Sequence, residues 1–313
     1  MLDLMKFICA LLVVGIHTEP FAAVDLLDKG FAVLTRIAVP FFFITSAFFY
    51  FKKPTSFQGF LSFAGRLFSI YGAWILIYEV ISLLGGRPLD INGLVYSVFV
   101  SGYSHFWYLL ALVVSVALCS VLLKVLKNPK IVMVIALLLY VWATLCSTYH
   151  NWFPINDPII GKIGIRNGIY YGPVFVMIGH LFANKKEKLI KPGKSLLLTL
   201  VLFGILAVEG AVGVTITKAE TTILWFTTPF LMCALFSTLL SVEVALSEKT
   251  SVLLRKMSVG IYCVHPVIIS ALRTNGFAGM LLFLLTSVIS CMITYWIMRM
   301  AENEKYAFFK KLL

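Results

Sequence analysis

The chain has 313 residues, of which 60% are hydrophobic and only 13% are charged, and its formal net charge is +12. Soluble domains carry about 25% charged residues, and the mean hydropathy here is +0.96. A chain this apolar cannot hide its hydrophobic side chains in one soluble core. The composition therefore excludes an ordinary soluble protein and indicates that the bilayer is its solvent.

Apolar runs of about 20 residues recur along the whole chain, and each is long enough to cross about 30 Å of hydrocarbon as a helix. Barrel strands would instead alternate apolar and polar residues over about ten positions. We therefore predict an all-α integral membrane protein with about ten transmembrane helices in one bundle. The predicted spans are 4–22, 33–51, 60–84, 106–126, 131–149, 166–184, 195–214, 222–244, 257–274 and 279–300.

The basic residues outside these spans are unevenly distributed. With the N-terminus inside, most Lys and Arg residues fall in the inner loops and the C-terminal segment, including the lysine-rich loop 184–194. This positive-inside bias predicts that both termini are cytoplasmic, and because it accounts for the basicity, no nucleic-acid partner is expected. Since the chain stops soon after the last span, we expect one transmembrane domain over 1–313 with no soluble domain attached.

Neither disulfides nor a metal site is expected. Each cysteine lies alone within a different predicted span, and none has CxxC or Cys/His ligand spacing. Between spans, the stretch GLVYSVFVS (93–101) is too short to cross and could be a re-entrant or an interfacial piece, whereas the loop 184–194 is expected to be solvated.

The first span carries two ionisable groups, Lys6 and His17, eleven positions apart. At 100° per residue they point to one face, within about 20°, and they stand about 16 Å apart along the axis. They could line a polar path, or Lys6 could snorkel to the inner headgroups while His17 packs against another helix. Asp3 is placed to pair with Lys6, whereas Glu19 lies on another face from His17.

The second span places Arg36 one turn from its start. Pro40 lacks the N–H that would bond the Arg36 carbonyl, so a kink is expected beside a buried guanidinium. Such an arrangement suits an anion or an oxyanion, and the alternative is an Arg that holds lipid phosphates. Arg66, in the inner half of the third span, could equally hold a phosphate arriving from the cytoplasm or form a structural ion pair.

Further polar groups mark the outer ends of later spans. His105 and Trp107 begin the fourth span, and Arg166 begins the sixth, in which Gly172-Pro173 predicts a kink. In the ninth, three polar residues fall within about 60° of one face and indicate either a cavity lining or interhelical hydrogen bonds: Ser258, Tyr262 and His265. Glu209 and His180 stand alone and are interpreted as structural.

Four blocks of the sequence resemble acyltransferase family 3, which are membrane enzymes that O-acylate extracytoplasmic acceptors. Lys6-x10-His17 with Asp3 resembles the first helix of that family, and RIAVPFFFITSAFFYF resembles the second, with matches at Arg36, Pro40 and Ser46. HFWYLLAL and SVGIYCVHP follow in the family's order. HFWYL and RNGIYYGPVF also resemble the membrane part of vancomycin-resistance serine racemases, which continue into a cytoplasmic racemase domain.

The resemblance implies a function and roles for these residues. The protein is expected to move an acyl group, most simply acetyl, from cytoplasmic acyl-CoA to a hydroxyl of an extracytoplasmic acceptor, such as a cell-surface polysaccharide or a peptidoglycan-related group. His17 would be the general base or acyl carrier, Arg36 would hold the acyl oxygen, and Lys6 and Arg66 would grip the CoA phosphates. The remaining polar residues named above would line the acceptor cavity: His105, Trp107, Arg166, Ser258, Tyr262 and His265.

The same resemblance implies a bacterial plasma-membrane protein among lipids, with acyl-CoA as a substrate and no permanently bound cofactor. Lys6 stands where the family often has Arg, no acid is clearly placed to orient His17, and an RxxR motif of some members is missing. The likeness to the racemase-linked group leaves an alternative, a permease-like bundle that passes a small polar solute such as L-serine without acylation.

Overall fold

A computed structural model describes the chain apart from Arg87, Leu89, Ser97, 99–103, 185–190, 218–223, Glu243 and Ala245. Most of the lysine-rich loop 184–194, and half of the predicted re-entrant stretch 93–101, lie outside the described residues, so neither prediction is tested. The regular secondary structure of the described part is entirely helical, with no strand.

The helices of the described part are, in chain order, α1 (Leu2–Thr18), α2 (Asp25–Thr35), α3 (Ala38–Phe51), α4 (Phe57–Leu84), α5 (Ile91–Tyr96), α6 (Trp107–Leu126), α7 (Pro129–Cys146), α8 (Pro158–Ile163), α9 (Gly172–Asn184), α10 (Pro192–Thr217), α11 (Thr228–Ser241), α12 (Glu248–Thr274) and α13 (Gly279–Ala301). Short 3₁₀ segments precede α6, at Ser104–Phe106, and follow α13, at Glu304–Leu312.

Each predicted span falls on one of these helices or on the pair α2 and α3. Within the described residues, seven segments are long and apolar enough to cross a membrane: Asp25–Phe51, Phe57–Leu84, Trp107–Leu126, Pro129–Cys146, Pro192–Gly213, Glu248–Thr274 and Gly279–Ala301. The apolar helices α9 and α11 have only 13 and 14 residues, which reach about 20 Å. The chain is thus an all-α membrane protein, while the number ten and the side of the termini stay predictions.

Several helix ends differ from the predicted spans for local reasons. Helix α1 ends at Thr18 because Glu19 adopts a left-handed backbone conformation, with φ of 49°, and Pro20 cannot continue a helix. Helix α12 begins nine residues before the predicted span, since Ser247 caps it by accepting a hydrogen bond from the Thr250 N–H.

The Gly172-Pro173 prediction was wrong. This pair opens helix α9 instead of kinking a longer one, because proline is tolerated in the first turn, where its missing N–H has no helical partner. The preceding residues 166–171 form turns, so Arg166 lies before the helix.

The residues cluster into two compact units. The first contains Met1–Val39, Phe68–Asp90 and Glu243–Leu313, and in it α1, α12 and α13 pack against one another. Glycine allows this close approach, because a Cβ on Gly260 of α12 would collide with the Thr294 side chain of α13. The second half of α4 joins this unit through two hydrogen bonds, from the Tyr78 hydroxyl to the Cys263 carbonyl and from the Trp74 indole to the Leu312 carbonyl.

The second unit contains Pro40–Leu67 and Ile91–Val242. Helices α6 and α7 pack on α9, and α10 packs on α11. Glu209 of α10, interpreted from sequence as structural, accepts hydrogen bonds from the Tyr149 hydroxyl and from the backbone N–H groups of Phe226 and Thr227. This carboxylate therefore holds the turn that leads into α11.

Candidate functional site

Lys6 and Asp3 form an ion pair in the first turns of α1. The Lys6 Nζ lies 3.3 Å from Asp3 Oδ1, and the two side chains are 13% and 17% exposed. The pairing predicted from the i,i+3 spacing is therefore confirmed. Because Asp3 partly neutralises the ammonium, a phosphate that binds Lys6 competes with this carboxylate.

His17 lies in the last turn of α1, and its side chain is exposed. The end of the helix is fixed from outside by Arg273 of α12, whose guanidinium donates a hydrogen bond of 2.7 Å to the His17 carbonyl. A cation at a helix C-terminus also interacts favourably with the carbonyl dipoles there. The backbone that carries the exposed His17 is thus anchored by α12.

The imidazole of His265 packs against that of His17. The ring centroids are 5.4 Å apart and the planes are tilted by 30°. His265 is fully buried, and its Nδ1 lies 3.0 Å from the carbonyl oxygen of Ile261. A carbonyl can only accept, so Nδ1 must carry the proton, and the neutral ring then presents Nε2 as an acceptor.

The predicted polar stripe on α12 is buried along its length. Ser258, Tyr262 and His265 are exposed by 2%, 8% and 0%. The Ser258 hydroxyl donates to the Leu254 carbonyl, one turn earlier in its own helix, whereas the Tyr262 ring lies 6.3 Å from His265. Pro266 follows directly and removes the N–H that would bond the Tyr262 carbonyl. Of the three residues, His265 contacts His17, and Tyr262 lies beside His265.

Arg36 lies where one helix stops and the next begins. Its backbone N–H bonds to the Val33 carbonyl in a tightened last turn of α2, and α3 starts two residues later. Pro40 falls in the first turn of α3, where proline is tolerated. The expected interruption is therefore a complete break between two helices, and the half-buried Arg36 side chain projects from it.

The other predicted site residues belong to the second unit. Arg66 is exposed in the first half of α4. His105 is buried and its ring packs against that of Phe106, with centroids 3.9 Å apart and planes tilted by 42°. The Arg166 guanidinium lies 5.9 Å from the half-buried Trp107 ring, a cation–π distance. Two of the predicted lining residues, Trp107 and Arg166, are thus in contact.

Sequence reasoning missed the partner of His17. It looked for a carboxylate, whereas the ring found in contact with His17 is that of His265, 248 positions later in the chain. The stripe containing His265 was visible in the sequence, but nothing in its spacing pointed to α1. Arg273 was also missed, although a basic residue at the end of a span is the expected partner for a helix C-terminus. The described residues contain no cluster of three metal-ligating side chains.

A family model described as an acyltransferase domain, that of acyltransferase family 3, matches residues 1–299. No solved structure gives a significant match.

Curated relatives carry racemase names. An amino-acid racemase from Enterococcus faecalis is 26% identical over 292 residues, which cover 86% of this chain and 40% of the relative. A serine/alanine racemase from Enterococcus gallinarum is 28% identical over 297 residues, with the same coverage of both chains. A second Enterococcus faecalis amino-acid racemase is 30% identical over 204 residues, 60% of this chain and 28% of the relative.

The chain therefore spans two-fifths or less of the length of these relatives. The expected likeness to racemase-linked membrane proteins is confirmed over that part. The family match extends from the Lys6–His17 helix to the end of α13, and on this ground the chain belongs to acyltransferase family 3.

Proposed function

We propose that this protein transfers an acyl group, most simply acetyl, from cytoplasmic acyl-CoA to a hydroxyl of an extracytoplasmic acceptor, such as a cell-surface glycan or a peptidoglycan-related group, in a bacterial plasma membrane. One observation carries the proposal beyond family membership. The exposed His17 at the end of α1 contacts the ring of the buried His265, whose Nδ1 lies within hydrogen-bond distance of the Ile261 carbonyl. This contact supports the proposal that His265 orients His17 as a general base.

In the proposed reaction His17 takes the proton from the acceptor hydroxyl as its oxygen attacks the thioester carbon. The carbonyl π electrons move onto oxygen, and the resulting oxyanion is stabilised by the Arg36 guanidinium, an electrostatic contribution that is usually the largest in acyl transfer. When the intermediate collapses, the carbon–sulfur bond breaks. His17 returns its proton to the departing CoA thiolate, so the products are the acyl ester and free CoA.

His265 is proposed as the residue that positions His17. Since its Nδ1–H is held by the Ile261 carbonyl, its Nε2 can accept a hydrogen bond from one nitrogen of His17. The other nitrogen of His17 then carries the lone pair that receives the acceptor proton. This is the role that a carboxylate has in many hydrolases, performed here by a neutral ring.

Lys6 and Arg66 are proposed to bind the phosphates of the donor. Both lie nearer the predicted cytoplasmic ends of their helices than His17 does, and the axial distance from Lys6 to His17 is about 16 Å. Trp107, Arg166, His105 and Tyr262 remain proposed lining for the acceptor. Ser258 is withdrawn from that set, because its hydroxyl is bonded within its own helix.

The test is acetyl-CoA turnover in proteoliposomes, with wild type beside His17→Ala. Turnover should fall by about 10²–10⁴-fold in the variant while its size-exclusion peak and melting temperature stay unchanged. His150→Ala is the matched control, because this exposed histidine lies in a loop of the second unit and has no role in the mechanism.

Equal turnover in wild type and His17→Ala would contradict the assignment of the base. If wild-type protein neither binds nor consumes acetyl-CoA but admits L-serine to the same vesicles, the permease alternative replaces the proposal.

A further inference from the structure

A cavity of about 870 Å³ lies within the second unit. Its wall is built from the end of α3, the connection to α4, the first turn of α4, and the C-terminal halves of α6 and α9. The volume falls in the range of small-molecule sites, about 300–1,000 Å³. None of the residues proposed for the reaction or the donor, Lys6, His17, Arg36 and Arg66, lines it.

The charge of this cavity is positive. Lys53 and Lys124 both line it, and none of the described residues in its wall is acidic. Lysines at the C-terminal ends of helices are ordinary because they complement the helix dipole. When two lysines line one cavity and the described wall contains no carboxylate, however, the cavity favours binding of an anion. The neighbouring Lys52 does not line the cavity; its ammonium lies over the Phe48 ring at 4.5 Å.

Neutral polar groups in the wall can also receive an anion. The Ser120 hydroxyl is buried and has no hydrogen-bond partner among the described residues. A buried hydroxyl in that state costs free energy, which an oxygen of a bound phosphate could offset. His180 is half-buried in the same wall, and its ring is held edge-on to Phe51 with centroids 4.8 Å apart.

The N-terminal end of α4 also favours an anion in the cavity. Ser56 caps this helix through its hydroxyl, which accepts from the Gly59 N–H, while its carbonyl accepts from the Phe60 N–H. The N–H groups of the first residues still point away from the helix, toward its positive end. Phe57 and Phe60 line the cavity at this end.

The apolar part of the wall indicates an amphiphile. Phe57 and Val121 line the cavity and are 77% and 59% exposed, so its mouth continues into apolar surface of the kind that lipid chains cover. The three connections at this end, after α3, α6 and α9, are all predicted to be cytoplasmic from the positive-inside bias. The cytoplasmic leaflet carries the anionic lipids, and basic pockets between helices on that side bind their headgroups.

We propose that this cavity binds the phosphate headgroup of an anionic phospholipid from the inner leaflet, with Lys53 and Lys124 contacting the phosphate and the acyl chains lying along Phe57 and Val121. Acyl-CoA carries phosphate groups as the lipid headgroup does, so the test must distinguish binding of the lipid from binding of the soluble donor. This site is independent of the proposed reaction and stands whether or not the protein acylates.

The experiment is a binding titration of the full chain in detergent with dioctanoyl-phosphatidylglycerol. Wild-type protein should bind one lipid per chain. Each basic residue near an anionic surface contributes about 1 kcal/mol, which converts to about fivefold in Kd. Lys53→Gln and Lys124→Gln should therefore each raise Kd about fivefold, and the double variant about 25-fold. Lys52→Gln, which keeps the cavity intact, should bind like wild type.

Two further ligands decide the source of the phosphate. Dioctanoyl-phosphatidylcholine, which has the same chains without net charge, should bind at least tenfold more weakly than phosphatidylglycerol. Coenzyme A should not displace the bound lipid. Equal Kd values for wild type and the double variant would overturn the site, and displacement by coenzyme A at similar concentration would assign it to the acyl donor instead. Because the exposed lysines can be changed singly, failure of the double variant to fold leaves the single variants to decide.

Discussion

The proposed role of His265 can be tested by substituting its two ring nitrogens separately. His265→Asn keeps an N–H near the position of Nδ1, where it can donate to the Ile261 carbonyl, but has nothing at the position of Nε2. His265→Gln reaches the position of Nε2 with an amide oxygen, which can accept from His17. Since the His265 side chain is fully buried, both variants must be checked for folding by size exclusion and thermal unfolding.

The expected change in kcat follows from the energy of one hydrogen bond and from the rate contribution of a general base. A neutral hydrogen bond contributes about 0.5–1.5 kcal/mol to holding His17 in one orientation, which alone corresponds to about 2- to 12-fold in rate. Loss of a fixed tautomer removes general-base catalysis as well, worth about 10²–10⁴-fold. We therefore expect kcat of His265→Asn to fall at least tenfold, with KM for acetyl-CoA unchanged, because Lys6, the proposed donor contact on α1, lies about 16 Å from His17 along the helix. His265→Gln should retain kcat within about fivefold of wild type.

The assay is initial-rate acetyl-CoA consumption in proteoliposomes at several donor concentrations. A packing role for His265 predicts that both variants lose kcat and thermal stability together. The acceptor role predicts that His265→Gln has a higher kcat than His265→Asn while the two variants have similar thermal stability. If His265→Asn is as active as His265→Gln, then no acceptor is needed beside His17, and the tautomer argument is refuted.

Two further predictions concern the second unit. Glu209→Ala leaves three donors without their carboxylate and should lower the free energy of unfolding in an SDS titration by about 2–4 kcal/mol. The control Glu302→Ala removes only the exposed ion pair with Arg299 and should change it by less than about 1 kcal/mol; equal effects would contradict the tethering role. The Ile160 N–H, with Trp142 and further donors, lowers the pKa of Asp157. A lowered pKa means that the stabilisation is present above about pH 4 and lost as pH falls below it, so hydrogen exchange in α8 should speed up there in wild type but not in Asp157→Asn, once intrinsic rates are removed.

Much of the membrane architecture could be predicted because lipid imposes a strong local rule. Every span must satisfy its backbone internally and present about 20 apolar residues, so the ten runs of sequence identify the helices even where their ends are missed. The Lys6–Asp3 pair was also predictable, since i,i+3 geometry within one helix depends on nothing else.

Helix ends were harder to predict, because single residues decide them. Glu19 in a left-handed conformation ends α1, and hydropathy cannot detect that φ. The Gly172-Pro173 pair was interpreted as a kink because its neighbours on both sides are apolar. In the structure the residues before it are occupied by an Asx turn, in which Asn167 Oδ1 accepts from the Ile169 and Tyr170 N–H groups.

The contact between His17 and His265 could not have been predicted from either helix alone. Spacing fixes which residues of one helix share a face, but not which face of which helix it meets. Three features beyond spacing create the contact: the packing of α1 on α12, the early end of α1, and the Arg273 bond that anchors it. Only the family resemblance linked the two blocks, and it implied a shared site without stating which residue touches His17.

A neutral histidine is a physically reasonable partner for a base in this position. A buried carboxylate without a cation would carry a desolvation penalty of several kcal/mol, or would bind a proton and lose its value as an acceptor. In a neutral imidazole whose Nδ1–H is bonded to the Ile261 carbonyl, the other nitrogen is an acceptor. It therefore orients His17 without placing a charge among apolar side chains. On this argument, His265→Glu should not retain activity, even though Glu is a stronger hydrogen-bond acceptor in water. Activity in His265→Glu would show that the surroundings of His265 contain more water than its burial indicates.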